Sequence, residues 1–262
     1  MGKVITIWGS PNSGKTTLSI KLAKELSKKN NVIVLFADIV APIIPILKDE
    51  ADTSKSLGNV LSVGTLDNDV ILKNCIEVEG IKNTVFLGYN QSENVFTYPQ
   101  YSEERVKELI NNLKELADYI IIDTMSNFVV DLITTVALEV SDNVLRLNSS
   151  ELKNISYFDS YMPLLIGDKF KTEEHINILS NSKVEDAIEE LTEIYNIQET
   201  IEYSEEIREQ SLCSDLLVNL SVKEQEKLSL KLNKIISLIN KDENECKSDK
   251  KKGLFKFFRK GA

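Results

Sequence analysis

The stretch Lys3-Val-Ile-Thr-Ile-Trp8-Gly9-Ser10-Pro11-Asn12-Ser13-Gly14-Lys15-Thr16-Thr17 decides how this chain is read. It opens with a short apolar, mostly β-branched run, Val4–Trp8, which predicts a buried strand. Gly9–Thr16 then satisfies G-x-x-x-x-G-K-[ST] in full. An amphipathic helix is predicted directly after it, over Thr16–Lys28, with Leu18, Leu22, Ala23 and Leu26 at helical spacing. Strand, glycine-bounded turn and helix form the context in which the pattern is a phosphate-binding loop. Glycines let the backbone wrap round phosphate oxygens, and its N–H groups point inward as an anion nest. The helix N-terminus adds partial positive charge. In such a loop Lys15 reaches the β- and γ-phosphates of a nucleotide, Thr16 ligates Mg²⁺, and Gly9 through Thr17 line the phosphates.

Working outward, two aspartates end apolar runs: Asp38 after Val-Ile-Val-Leu-Phe-Ala, and Asp123 in Asp118-Tyr-Ile-Ile-Ile-Asp123-Thr124. A carboxylate at the carboxyl end of a buried strand faces the loop, where it can support Mg²⁺ or orient an attacking water. Strands are predicted at Val4–Trp8, Val32–Ala37, Thr84–Leu87, Tyr119–Ile122, Val144–Leu147 and Ile176–Leu179. Helices are predicted at Thr16–Lys28, Ser102–Ala117, Val184–Tyr195 and Val222–Ile239. Short, continuously apolar strands alternating with helices predict an α/β fold: an open, mostly parallel sheet flanked by helices. Leu66–Tyr98 reads poorly, with turns near Asn68 and Asn90 and a weak helix between. The acidic stretches in 185–206 read as solvated helix faces.

Composition bounds the remainder. The chain has 262 residues, 42% of them hydrophobic, enough for one sizeable core. No apolar run approaches the roughly 18–20 residues of a membrane-spanning helix. The start runs straight into a strand with no signal-peptide layout, and three scattered cysteines (Cys75, Cys213, Cys246) suggest neither disulfides nor a metal centre. The expectation is a reducing cytosol. A single histidine, His175, disfavours histidine-based catalysis. Net charge is −10, but residues 250–262 hold six basic residues and no acid, leaving 25 basic against 41 acidic residues, or −16, in residues 1–249. So acidic a body argues against nucleic acid as a partner.

These motifs resemble the MinD/ParA group of P-loop ATPases, including the atypical CpaE/TadZ-type relatives. The likeness spans about residues 1–240 and rests on the loop at 9–16, Asp38 at the switch-I position and Asp118–Thr124 at the switch-II position. It extends to Ser141-Asp-Asn-Val-Leu-Arg-Leu147 and Ile201-Glu-Tyr-Ser-Glu-Glu-Ile-Arg208. It implies an ATP-dependent homodimer with nucleotide between the subunits, cycling to ADP by slow hydrolysis. Carried over, Lys15 and Thr16 contact phosphate and Mg²⁺, Asp38 positions water, Asp123 supports Mg²⁺, and Asn181 corresponds to an adenine-reading Asn. Two positions depart from the pattern. The signature lysine after the first glycine is Ser10, and the Pro-Pro-Gly after the switch-II Asp-Thr is Met125-Ser126-Asn127. The missing cross-subunit lysine favours the atypical branch.

The chain end is the second informative feature. Residues 241–249 are polar and read as a linker. In the tail, Leu254, Phe255, Phe257 and Phe258 gather on one helical face, with Lys256, Arg259 and Lys260 opposite. That pattern suits an anionic membrane surface, as in the many MinD relatives that end in such a helix. The expectation is therefore a domain at 1–240, a linker and a membrane-surface tail at 250–262. The whole would act at the inner face of the cell membrane on a protein partner belonging to a division, pilus, secretion or conjugation machine. A nucleotide-gated scaffold with little turnover is the alternative. A phosphotransferase or ligase is disfavoured, since only Arg105, Arg146, Arg208 and Arg259 could line its substrate pocket. Asn240-Lys-Asp-Glu243 lies in the linker and is no guanine reader. Met1-Gly2 has no free arm for acylation.

Overall fold

The computed structural model describes residues 1–47 and 52–241. The tail and nearly all of the linker lie outside the described residues. Seven strands are formed: β1 (Lys3–Gly9), β2 (Val32–Phe36), β3 (Thr84–Leu87), β4 (Tyr119–Asp123), β5 (Asn143–Asn148), β6 (Ile176–Ser182) and β7 (Glu199–Glu202). They make one sheet in the order β3-β2-β4-β1-β5-β6-β7, every neighbouring pair parallel. The helices are α1 (Lys15–Leu26), α2 (Ile44–Leu47), α3 (Leu57–Ser62), α4 (Asn68–Asn74), α5 (Glu103–Leu116), α6 (Leu132–Val140), α7 (Leu152–Tyr161), α8 (Ile188–Tyr195), α9 (Glu205–Leu212) and α10 (Val222–Ile239).

Strand β1 is central, paired with β4 through Ile5↔Ile121 and with β5 through Ile7↔Leu145. The chain crosses to the β2 side after β1 and to the β5 side after β4. Ligand crevices of open α/β sheets lie outside strand carboxyl ends at such a reversal. Side chains alternate along β1. Ile5 and Ile7 face α1 and α10 in an aliphatic layer with Leu22, Ile121, Leu145, Leu232 and Ile235. Val4 faces the other side, which divides in two. Over β2 and β4 it is aliphatic: Ile33, Leu35, Ile120 and Ile122 meet Val106, Leu109 and Leu113 of α5. Over β1 and β5 it is aromatic, with Trp8 and Val144 packed on Phe128, Phe158 and Phe170.

Several expectations are met closely. Ser102 caps α5 by accepting from the Arg105 N–H, and Val222–Ile239 is helical over the predicted span. Others need correction. Strand β7 (Glu-Thr-Ile-Glu) was not predicted; as an edge strand it needs no apolar run. Predicted at Val184, the α8 helix starts at Ile188, because Asp186 accepts from the Lys183 N–H at 2.7 Å and closes a turn there. The weak helix expected after the turn near Asn68 is α4, capped by Asp67, and the bend falls just before it, at residues 63–65. The chain also forms α6, α7 and α9, which periodicity did not reveal; α6 is rich in β-branched residues and buried on most sides. Glu199 is no solvated helix residue: it is buried in β7, 3.1 Å from Lys231 and 3.6 Å from Lys234.

Candidate functional site

Gly9 ends β1 so close to β5 that a Cβ would stand 2.3 Å from the Leu147 carbonyl oxygen; only glycine fits. The loop then turns through Asn12 (φ 61°) and Gly14 (φ 86°) into α1. Left-handed backbone at Gly14 is what that residue type accommodates. Pro11 and Asn12 are exposed at the tip, whereas Ser10 and Ser13 are buried beneath it. Ser13 Oγ donates to the Ser10 carbonyl at 2.8 Å, and Ser180 Oγ donates to the Ser13 carbonyl. The loop is thereby fastened to itself and to β6.

Lys15, the first residue of α1, donates to the carbonyls of Ser10 (2.9 Å) and Gly9 (3.3 Å) and to Ser126 Oγ (2.7 Å). Burial lowers its pKa, and the carboxylates of Asp123 and Asp38 oppose that shift. Thr16 Oγ1 donates to Asp123 Oδ2 at 2.6 Å, and Ser19 Oγ, one turn on, to Asp123 Oδ1 at 3.2 Å. Burial pushes the Asp123 carboxyl up to about 6, resisted by the Thr16 hydroxyl, the Lys15 ammonium and the Ser19 hydroxyl. Asp38, half-buried beyond β2, has Oδ1 accepting from the N–H groups of Val40 (2.8 Å) and Ala41 (3.1 Å). It shapes a turn, and its charge is felt by both Lys15 and Asp123.

Asn181 lies within β6, not after it, at φ 55° beside a register shift between Ser180 and Ser182. It is exposed, with its amide over Gly14. Together with Thr17, Leu18, Ile201, Glu202 and Ser204 it lines a cleft on the other side of the loop from Asp123. Lys15, Thr16, Asp38 and Asp123 thus cluster at one flank, and Thr17 and Asn181 at the other.

Thr16, Ser19 and Asp123 form a compact set of hard oxygen donors. Among the described residues no group of three or more His, Cys, Asp or Glu side chains is placed to cage a metal. A hydroxyl beside a single carboxylate is the kind of small oxygen set by which Mg²⁺ is held, with waters and phosphate as its other ligands. Sequence reasoning did not find Ser19, Asn154 or Tyr157 as participants, and marked Ser126 only as a departure. Ser10 Oγ donates inward to Asn154 Oδ1 at 2.6 Å, so its side chain points into its own subunit.

The geometry is that of a P-loop nucleotide-binding fold. The sequence pattern of the AAA_31 family, described as an AAA domain, matches residues 3–155, and this chain belongs to that family. In structure the chain is similar to the cell division ATPase MinD of Pyrococcus furiosus (TM-score 0.71, 18% identity, covering 90% of this chain and 99% of that one). It is likewise similar to a ParA family ATPase from Chlorobium tepidum (TM-score 0.72, 16% identity, covering 88% and 96%). A third likeness is to a candidate plasmid partition protein of Borrelia burgdorferi B31 bound to AMPPNP (TM-score 0.71, 22% identity, covering 90% and 98%). The fold is therefore that of the MinD/ParA P-loop ATPases. No curated protein matches the chain in sequence.

Proposed function

We propose that this chain binds Mg·ATP at the Gly9–Thr17 loop, hydrolyses it slowly, and uses the nucleotide state as a spatial or assembly switch at a membrane surface. The observation that carries the reading is the Lys15–Thr16–Asp123 arrangement, with a hydroxyl 2.6 Å from a buried carboxylate directly after an amide-rich turn. In this reading the loop amides and Lys15 bind the β- and γ-phosphates. Thr16 and Asp123 hold Mg²⁺, which when bound neutralises charge on the phosphates. Asp38 orients the attacking water, and Asn181 reads the base in the cleft beside Ile201 and Leu18. The AMPPNP-bound relative and a MinD from Pyrococcus horikoshii complexed with Mg-ADP support nucleotide and metal as ligands.

Nucleotide-dependent dimerisation is supported by exposed apolar side chains around this end: Val40 after β2, Val129 and Val130 after β4, and Leu152 after β5. A MinC:MinD complex from Aquifex aeolicus supports a protein partner. The membrane role rests on the tail sequence. Among the described residues no helix is long and apolar enough to cross a membrane, so attachment would be peripheral. Four large apolar side chains and six cations make one tail marginal, and two tails on a dimer far better through effective concentration. A second reading, a nucleotide-gated scaffold with little or no turnover, is favoured by the inward-facing Ser10. That residue brings no charge to a partner subunit's phosphates.

Phosphate release and AMPPNP binding measured on the wild type and Lys15→Ala test the core of this reading. Loss of the charge-assisted phosphate contacts should weaken binding by roughly a hundredfold; equal, background phosphate release from both proteins would leave the scaffold. Light scattering with AMPPNP and with ADP tests the dimer, a monomer in both states removing it. Sedimentation with anionic vesicles, comparing the full chain with one ending at Asp249, tests the tail. Equal retention would remove the membrane role.

A further inference from the structure

Ser10 is the hub of the phosphate loop. Its hydroxyl donates to Asn154 Oδ1 at 2.6 Å, while its carbonyl accepts from Ser13 Oγ at 2.8 Å and Lys15 Nζ at 2.9 Å. Lys15 also donates to the Gly9 carbonyl at 3.3 Å and to a side chain, Ser126 Oγ, at 2.7 Å. Ser126 is in turn fixed through its carbonyl, which accepts from Trp8 Nε1 at 3.1 Å and from the Tyr157 hydroxyl. Asn154 and Tyr157 stand three residues apart on α7, on one face. Each holds one of the two nearer of the three acceptors of the Lys15 ammonium, Asn154 the residue at 2.9 Å (Ser10) and Tyr157 the residue at 2.7 Å (Ser126). Asn154 is 1% exposed, and its amide nitrogen has no hydrogen-bond partner among the described residues. An apolar residue would avoid that desolvation cost, so the function of this side chain here lies in its oxygen. Tyr157 is anchored by packing on Trp8 (ring centroids 5.9 Å), Phe158 (5.1 Å) and Tyr161 (4.7 Å).

We propose that α7 is the brace that aims Lys15, with Asn154 and Tyr157 as positioning residues acting through Ser10 and Ser126. The inference rests on the nucleotide reading above and adds the elements that set its grip. It couples the phosphate loop to the segment after β4 through one helix, so a contact that shifts α7 also shifts the lysine.

AMPPNP affinity in the presence of magnesium, measured by calorimetry on the full chain, tests this. Ser10→Ala and Asn154→Ala should each weaken binding roughly three- to tenfold, and the double variant no further than either alone, since one bond is lost in all three. Tyr157→Phe keeps the ring packing and loses only the hydroxyl; it should weaken binding by a few fold. Lys153→Ala, exposed on the same helix, should bind as wild type does. A purely structural role would persist without the lysine. In a Lys15→Ala background, adding Ser10→Ala or Asn154→Ala should cost no further affinity, because the brace acts only through that ammonium. If the wild type binds and the losses multiply in the double variant, or Asn154→Ala still weakens binding in the Lys15→Ala background, the brace is refuted while the nucleotide reading stands. A wild type that binds no nucleotide overturns the nucleotide reading and the brace together. Should Asn154→Ala melt below the assay temperature, Ser10→Ala and Tyr157→Phe decide.

Discussion

The sheet face opposite α1 consists of two halves built on different principles. Over β2 and β4 it is a dry aliphatic seam, Ile33, Leu35, Ile120 and Ile122 against Val106, Leu109 and Leu113, all buried. Over β1, β5 and β6 it is aromatic and polar. Trp8 and Phe158 meet edge to face at 5.7 Å, the Arg146 guanidinium stands 5.9 Å over the Phe158 ring, and the carboxamide oxygens of Asn148 and Asn177 are buried without partners among the described residues. Aliphatic burial is non-directional and supplies stability. Aromatic rings with N–H and O–H handles fix directions as well. The directional half lies under the phosphate loop and the segment after β4, where Trp8 and Tyr157 hold the Ser126 carbonyl. One half keeps the sheet folded; the other aims the site.

That contrast can be broken at either half. Leu109→Ala removes a fully buried side chain from the aliphatic seam. It should cost about 2–5 kcal/mol of stability by urea unfolding while leaving the AMPPNP affinity of the folded protein unchanged. A large drop in affinity would show the two halves to be coupled.

His175 lies beside the polar half, with Nε2 2.9 Å from the Phe170 carbonyl. Burial depresses its pKa to about 4 from 6.5. The unfolded chain takes up the proton near 6.5 and the folded chain only near 4, so acid favours unfolding across that window. Between pH 7 and 4 the wild type should lose about 3 kcal/mol of stability relative to His175→Gln, at about 1.4 kcal/mol per pH unit. The comparison must be made as this difference. Asp123, whose pKa is raised to about 6, binds its proton in the folded state first and shifts stability the opposite way as pH falls. Parallel pH profiles for the two proteins would refute the assignment.

The smallest effect belongs to the cap of α5. Ser102→Ala leaves the Arg105 N–H without its side-chain acceptor and should cost about 1 kcal/mol by thermal melting, with no change in nucleotide affinity.

The central strands were legible because burial on both faces demands continuous apolar runs such as Tyr119–Ile122, and the loop because its spacing is dictated by phosphate geometry. The β7 edge, α7 and α9 were not. A two-residue alternation in Glu-Thr-Ile-Glu is too short to stand out, and Leu152–Tyr161 mixes aromatic and polar residues whose partners are distant in sequence. Asp38 and Asp123 were found at strand ends, but their difference was not: Asp123 is buried under two hydroxyls, whereas Asp38 closes a turn over Val40 and Ala41.

By itself, then, the sequence determined the parallel sheet, the glycine-bounded turn between β1 and α1, and the carboxylates at the sheet's carboxyl edge, because each is written in residues close together along the chain. Only the tertiary structure decided that Ser10 faces inward to Asn154, that Ser126 receives Lys15, and that Asn181 stands over Gly14. Those contacts join residues about 110 to 170 positions apart, and their geometry is set by how helices settle on the sheet. A spacing rule has no access to that packing.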